Sequence, residues 1–96
     1  MIGSFKDQGT EDIFDGGNSK KARATLPQEL MAIARRKLSQ LQAARTLDEL
    51  RLPGNHLEAL KGDRAGQWSI RINDKYRVCF TPDGSNFLNV EIVDYH

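Results

Sequence analysis

The chain has 96 residues, a net charge of +1 and one cysteine. This length predicts a single domain over residues 1–96 with one modest core. No apolar run approaches the roughly 18 residues of a membrane span, so we expect no membrane partner. The opening residues lack the apolar core of a signal peptide. The lone Cys79 excludes an internal disulfide and suits a reducing compartment, so we expect a cytoplasmic protein with a structural thiol.

The charge is unevenly distributed along the chain. Residues 1–19 carry four acids against one lysine, whereas residues 20–37 carry six cations against one glutamate. A near-neutral chain with such a basic segment can bind a polyanion locally. Each cation taken separately is also typical of a solvated helix face. The cations of the basic segment are Lys20, Lys21, Arg23, Arg35, Arg36 and Lys37.

The first half of the chain carries helix signals. After a short strand candidate at residues 2–5, Thr10 and the acids behind it predict a capped helix that ends near Phe14. Glycines then predict a basic loop. Thr25, followed by a first-turn proline, predicts the cap of the main helix, which should end near Ala44 or Arg45. The buried stripe of that helix is predicted to contain Leu30, Ile33, Ala34, Leu38 and Leu41.

The second half predicts turns and strands. Residues 46–50 favour one more capped turn, and residues 56–60 favour a short strand. Apolar and polar residues then alternate over residues 68–80 on both sides of an Asn-Asp turn, which predicts a β-hairpin. Pairing Ile72 with Tyr76 leaves a three-residue loop and makes one face wholly apolar. A slip of one residue would mix the two faces.

The same register sets Arg71 opposite Arg77 on the polar face. Like charges directly across a strand pair destabilise it. Either solvent and a nearby acid screen the two arginines, or both bind an anion, and phosphate is the usual anion for a guanidinium pair.

The last strand is predicted over residues 87–95, after a turn whose proline should end the pairing. A register that pairs Phe80 with Leu88 keeps its apolar face on the core. That register sets Glu91 opposite Arg77, so we expect this carboxylate to orient the arginine.

The polar face of this sheet gathers groups that suit phosphodiester cleavage of RNA. Lys61, Arg71 and Arg77 supply cations for the charge that grows on the phosphate. In the tail Asp94–His96, histidine is matched to proton transfer near neutral pH, and tyrosine can stack on a base. The tail is equally consistent with a frayed end that has no role. The two histidines and the cysteine have no ligand spacing, so we predict neither a metal site nor a cofactor.

Three segments, Leu60–Ile70, Tyr76–Phe80 and Asn89–His96, resemble the HigB family of toxins within the RelE/ParE superfamily, especially its GraT branch. The most specific pieces are Leu-Lys-Gly-Asp-Arg and the terminal Asp-Tyr-His. The resemblance implies an α+β, RelE-like fold, in which two N-terminal helices pack on a small twisted, mostly antiparallel β-sheet.

The resemblance also implies a function. Members are toxins of type II toxin–antitoxin systems, and they cleave mRNA on the ribosome without a metal, which inhibits translation and growth. The implied partners are the ribosome, mRNA and a HigA-type helix-turn-helix antitoxin. The chain would contact operator DNA only through this antitoxin.

The family's active-site residues fall in this chain on Lys61, Arg77, Asp94, Tyr95 and His96. Another position that is basic in the family falls on Asn73. This departure points to a weaker toxin, unless Arg71, on the same face, takes the place of the missing basic residue. The candidate residues for binding RNA and phosphate are Arg71, Asn73, Lys20, Lys21, Arg23, Arg35 and Arg36.

Two alternatives come from other functional classes. A ParE-like protein has the same fold, inhibits DNA gyrase and needs no catalytic tail, so the terminal Asp-Tyr-His argues against it. A degenerate, non-toxic partner would only bind an antitoxin and DNA. Function therefore rests mainly on the resemblance, supported by the arginine pair and the tail.

Overall fold

The computed structural model describes residues 1–94, so Tyr95 and His96 lie outside the described part of the chain. The helices come first, as α1 (Gln8–Phe14), α2 (Lys20–Thr25) and α3 (Met31–Ala43). The strands follow, as β1 (Glu58–Ala59), β2 (Trp68–Arg71), β3 (Tyr76–Asp83) and β4 (Asn86–Asp94). They form an antiparallel sheet in the order β1-β2-β3-β4. The predicted α+β architecture is confirmed, with α2 as a helix beyond the expected pair.

The first two helices are capped by side chains whose oxygens accept hydrogen bonds from backbone N–H groups. Asp7, rather than Thr10, caps α1, and its carboxylate accepts from the Thr10 N–H at 2.7 Å. Ser19 caps α2 by accepting from the Ala22 N–H at 3.0 Å. Because this cap satisfies an N–H group that would otherwise lack a partner, the stretch predicted as a basic loop is helical instead.

The main helix begins later than the sequence predicts. Thr25 ends α2, where its hydroxyl donates to the Lys21 carbonyl at 2.8 Å, so it does not cap α3. A 3-10 turn over residues 28–30 lies between the two helices. No helix within residues 1–94 is long and apolar enough to cross a membrane. The predicted stripe faces inward, with Ala34, Leu38 and Leu41 fully buried and Leu30 and Ile33 half-buried against the core.

The helices pack on one face of the sheet, and the N-terminal segment covers the outer edge of β4. Ile2 and Phe5 form isolated parallel bridges with this strand where the sequence predicts a short strand. The Thr10 hydroxyl accepts from the buried Ile92 N–H at 3.1 Å and ties α1 to β4. Backbone groups at an exposed sheet edge invite pairing with other chains, so this cover closes one edge.

The hairpin of β2 and β3 has the predicted register. Arg71 lies opposite Arg77, and the Ile72 N–H donates to the Tyr76 carbonyl at 3.0 Å, which closes the three-residue loop. The apolar face of this hairpin packs into the core. The alternation of apolar and polar residues, together with the length of the turn, was therefore sufficient to predict the register of β2 and β3.

The register between β3 and β4 differs from the prediction. Glu91 lies opposite Cys79 and not opposite Arg77, because the register shifts within β3 just after Cys79. Asn89 at this level has a φ of 53°, a left-handed conformation typical of a bulge. Pairing also continues past Pro82 to the end of β3. Since β2 no longer lies beside that part of the strand, the missing proline N–H is tolerated there.

Candidate active site on the polar face of the sheet

The candidate site lies on the face of the sheet that points away from the helices. Side chains alternate along a strand, so Arg71 and Arg77 lie on the opposite face from the fully buried Ile70 and Val78. Ser69, also on the polar face, is fully buried beneath the longer charged side chains. The sheet therefore separates an apolar core from a layer of charge.

Arg77 is held by contacts to two other segments of the chain. Its Nε donates to the Ser69 hydroxyl at 2.7 Å, and its Nη2 donates to the His56 carbonyl at 2.6 Å. The side chain therefore crosses β2 and reaches the segment in front of β1. A guanidinium anchored at two of its nitrogens presents its charge in a defined direction.

Arg71 has an acid nearby. Its backbone N–H donates to the Asn55 carbonyl at 2.6 Å, and its guanidinium donates to the Asp74 carboxylate in the hairpin loop. The Asp74 side chain is 97% exposed. Of the two explanations for the arginine pair, a nearby acid therefore applies to Arg71. Solvent screens this exposed ion pair and weakens it, so an incoming phosphate can compete with Asp74.

Lys61 and Asp94 are both exposed. Lys61 precedes the 3-10 turn over residues 62–64 that leads towards β2. Asp94 ends the described part of β4 opposite Tyr76, and its carboxylate lies 3.6 Å from the Lys75 ammonium. The predicted Tyr95 and His96 fall outside the described residues.

Asn73 has a local role in the hairpin turn. Its Oδ1 accepts from the Lys75 N–H at 2.9 Å and from the Tyr76 N–H at 2.8 Å. An asparagine that bonds the backbone two and three residues ahead stabilises a tight turn. This oxygen is thus engaged in the loop beside the arginine pair.

The basic segment divides into groups with different surroundings. Lys20, Lys21 and Arg23 are exposed on α2, and Arg36 is exposed on α3. The Arg23 guanidinium also donates to the Asn18 carbonyl just before its own helix. Arg35 instead donates to carbonyls at and beyond the end of α1, to Ile13 at 3.1 Å and to Gly17 at 3.2 Å. A cation at a helix C-terminus satisfies carbonyls that lack partners within the helix. Arg35 therefore has a structural contact that its position in the sequence did not reveal.

Lys37 is the unexpected member of the basic segment, because it is only 6% exposed. Its ammonium donates to the side-chain oxygen of Asn55, which is itself fully buried. Burial, and then the charges of Arg36 and Arg71, lower the pKa of Lys37. The signal that identifies it is helical spacing, because Lys37 lies three residues after Ala34 on the buried face.

Cys79 and Glu91 lie opposite each other on the polar face. Burial raises the pKa of the Cys79 thiol to about 11, so it stays protonated at neutral pH and is a structural thiol, as predicted. Glu91 lies 3.0 Å from the Lys6 ammonium and 3.8 Å from the guanidinium of Arg64. This carboxylate therefore ties the N-terminal segment to the turn that follows Lys61. Among residues 1–94, no group of three His, Cys, Asp or Glu side chains is arranged to hold a metal ion.

The arrangement is suited to binding a phosphate. Arg71 and Arg77 are adjacent across the strand pair, and Arg77 is oriented by its own contacts. Within the described residues, Lys61 forms no ion pair, so its charge is available to a ligand. Fixed cations stabilise negative charge in a transition state better than mobile ones, because they need not reorganise.

Comparisons with known proteins place these features in a family. A family model described as a RelE-like toxin of the type II toxin–antitoxin system HigB matches residues 3–96. Toxin HigB-1 of Vibrio cholerae is 36% identical over 81 residues, which cover 83% of this chain and 82% of that protein. Endoribonuclease HigB of Proteus vulgaris is 29% identical over 96 residues, the whole of both chains.

Solved structures show the same architecture. A YoeB–YefM complex from Staphylococcus aureus matches with a TM-score of 0.61 and 16% identity, over 100% of this chain and 98% of that one. A YoeB/ParE toxin from Agrobacterium tumefaciens matches with a TM-score of 0.59 and 17% identity over the whole of both chains. At these identities the likeness concerns the fold, and it confirms the predicted RelE-like architecture.

Proposed function

Since the chain belongs to the HigB-like family of RelE-like toxins from type II toxin–antitoxin systems, we propose that it is a ribosome-dependent endoribonuclease that cleaves mRNA. The observation that carries the proposal is the oriented guanidinium of Arg77 beside Arg71 on the polar face. The Proteus vulgaris relative that is named an endoribonuclease aligns over the whole chain.

The proposed chemistry is attack of a ribose 2′-hydroxyl on the adjacent phosphate. Arg77, Arg71 and Lys61 would hold the phosphate and stabilise the charge that develops on it. Asp94 or another group would assist removal of the hydroxyl proton. Tyr95 would place a base by stacking. As the bond from the 2′ oxygen to phosphorus forms, the bond from phosphorus to the 5′ oxygen breaks. His96 would act either as the acid that protonates this leaving oxygen or as the base that takes the hydroxyl proton. The reaction as proposed uses no metal, because the arginines supply the positive charge.

The surface that approaches ribosomal RNA is proposed to include the exposed cations of the basic segment, on α2 and at Arg36. Phosphate contacts release counterions, so binding to ribosomes should weaken as salt rises. Asn73 would contact RNA from the hairpin loop, next to Arg71.

The proposed partner that neutralises the toxin is a HigA-type helix-turn-helix antitoxin. A RelE-like neighbour, YoeB, has been solved in complex with YefM, which supports an antitoxin on this fold. Operator DNA would be reached only through that antitoxin. Action on ribosomes and mRNA would place the activity in the cytoplasm.

Primer-extension mapping of mRNA ends tests the proposal directly. Purified ribosomes, a defined message and the protein are combined, beside a reaction without ribosomes and one with His96→Ala. We expect in-frame cuts that require ribosomes and that disappear in the variant. Without cuts from a protein that circular dichroism shows to be folded, the endonuclease assignment is wrong. A DNA gyrase supercoiling assay on the same sample would then test the ParE-like alternative.

A further inference from the structure

Asn55 is a fully buried polar residue in the loop that precedes β1. Its Oδ1 accepts from the Lys37 ammonium, and its Nδ2 donates to Gln40 Oε1 at 2.9 Å and to the Leu50 carbonyl at 3.0 Å. The side-chain amide is thus bonded through its oxygen and through its nitrogen. Rotating it would exchange donors for acceptors and lose these bonds, so its orientation is fixed.

Holding the Asn55 amide with the Lys37 ammonium costs free energy, because the ammonium must be buried. An ammonium removed from water is destabilising unless an opposite charge compensates it. Within residues 1–94 the Lys37 ammonium pairs with no carboxylate, and its partner is the neutral oxygen of Asn55. The nearby charges of Arg36 and Arg71 oppose the ammonium further. Stability alone does not account for this arrangement.

The backbone around Asn55 connects this buried cluster to both arginines of the candidate site. The Asn55 carbonyl accepts from the Arg71 N–H at 2.6 Å. The next residue, His56, has a φ of 46°, which is unusual for a residue with a side chain. The His56 carbonyl accepts from Arg77 Nη2 at 2.6 Å. The Asn55 side chain contacts α3, while the next carbonyl contacts the arginine on the opposite face.

We propose that Asn55 and Lys37 are positioning residues that hold the His56 carbonyl in place and thereby orient the guanidinium of Arg77. The inference rests on the proposed role of Arg77 in binding the scissile phosphate. Ser69 anchors one nitrogen of the guanidinium and His56 anchors another. Loss of the buried bond from Lys37 would release the left-handed backbone at His56, and the second anchor would weaken with it.

The test uses variants that remove the buried bond without touching the polar face. Lys37→Met deletes the donor and a buried charge while keeping most of the side-chain volume, so we expect it to fold. Asn55→Ala deletes the amide. Ile33→Ala, on the same helix and half-buried against the core, is the control that lowers stability without removing a bond to Asn55.

The first readout needs no RNA. Hydrogen exchange of the Arg77 Nη2–H that donates to the His56 carbonyl is followed by proton–nitrogen NMR at low temperature, with the signal identified by its loss in Arg77→Lys. We expect exchange to be roughly tenfold faster in Lys37→Met and Asn55→Ala, as for the loss of one hydrogen bond, and unchanged in Ile33→Ala. Unchanged exchange in both test variants would overturn the proposal, whatever the cleavage assay shows.

The second readout is single-turnover cleavage on ribosomes. We expect the rate at saturation to fall roughly tenfold in Lys37→Met, in line with the weakened anchor, while the concentration for half-saturation stays the same. A lower affinity with an unchanged rate would also contradict positioning. If the wild-type protein cuts nothing, the proposed function fails, and the NMR result still decides whether Asn55 orients Arg77.

Discussion

The cations of the sheet and those of α2 are held in different ways. Arg77 is half-buried and donates to two other segments of the chain, whereas Lys20 and Lys21 are exposed on their helix. Arg23 is also exposed, and its guanidinium donates only to the nearby Asn18 carbonyl among the described residues. An anchored cation can stabilise a particular distribution of charge, such as that of a reacting phosphate. Exposed cations attract a polyanion over a longer range, and salt screens them. Under the proposed function, the sheet carries out the chemistry and the helix contributes to association with RNA, a division that a net charge of +1 conceals.

The largest effect is expected from Arg77→Ala. The single-turnover cleavage rate should fall by roughly 10²- to 10³-fold, the usual range for removing one preorganised group that stabilises a transition state. Arg23→Ala, which removes the same side chain from α2, is the matched control and should keep its rate at saturation. Equal losses of cleavage rate in both variants would contradict the proposal that the sheet, and not α2, carries out the chemistry.

The position of α2 on α1 is tested by Gly9→Ala. A Cβ at Gly9 would lie 2.8 Å from the Lys21 carbonyl oxygen and closer still to the Thr25 hydroxyl. Overpacking of this kind destabilises a protein by about 1–3 kcal/mol. Urea unfolding should show this loss, while Ala24→Ser, exposed on α2, should change stability little. A stability equal to that of the wild type would mean that the two helices do not pack as tightly as the structure indicates.

The association role of α2 is tested by its salt dependence. In Lys20→Ala/Lys21→Ala, the slope of log affinity for ribosomes against log salt should become shallower by about 1.4, if each lysine meets one phosphate of single-stranded RNA. The cleavage rate at saturation should not change. Arg45→Ala/Arg51→Ala removes the same number of exposed cations elsewhere. An equal change of slope in that variant would contradict a specific role for α2 in binding ribosomes.

How much the sequence can predict is clearest in the two hairpins of the sheet. The register of β2 and β3 was predictable, because a slip of one residue would put apolar side chains in water. The register of β3 and β4 was not, because it contains a bulge at Asn89. Between the bulge and the end of β4 the pairing differs from the prediction by two residues, which leaves Val90 and Ile92 on the core. Before the bulge it differs by one residue, so Phe87 is buried in the core where Leu88 was expected. Only the bulge at Asn89 distinguishes the two registers. The error therefore misplaced Glu91, the charged partner, and one residue of the core.

The candidate site shows the same limit. Arginines on one face follow from alternation, but their hydrogen-bond partners come from segments that are distant in sequence. His56 lies 21 residues before Arg77, and the bond uses its backbone carbonyl, which every residue has. By residue type alone, Lys37 would be predicted to be a solvated cation. Its burial follows only from its position on the inward face of the helix. Residue types therefore predicted the charges of the site, but not what holds them.

The smallest effect on stability is expected from Asp74→Asn, which removes the acid beside Arg71. The Asp74 side chain is 97% exposed, and exposed ion pairs of this kind contribute less than about 1 kcal/mol. Urea unfolding should therefore hardly change. Binding to ribosomes should strengthen, because Arg71 no longer has a carboxylate that competes with phosphate, and Lys75→Gln in the same loop is the control that should not strengthen it. If Asp74→Asn weakens binding instead, Asp74 orients Arg71 for the phosphate, and Arg71 belongs with the anchored cations.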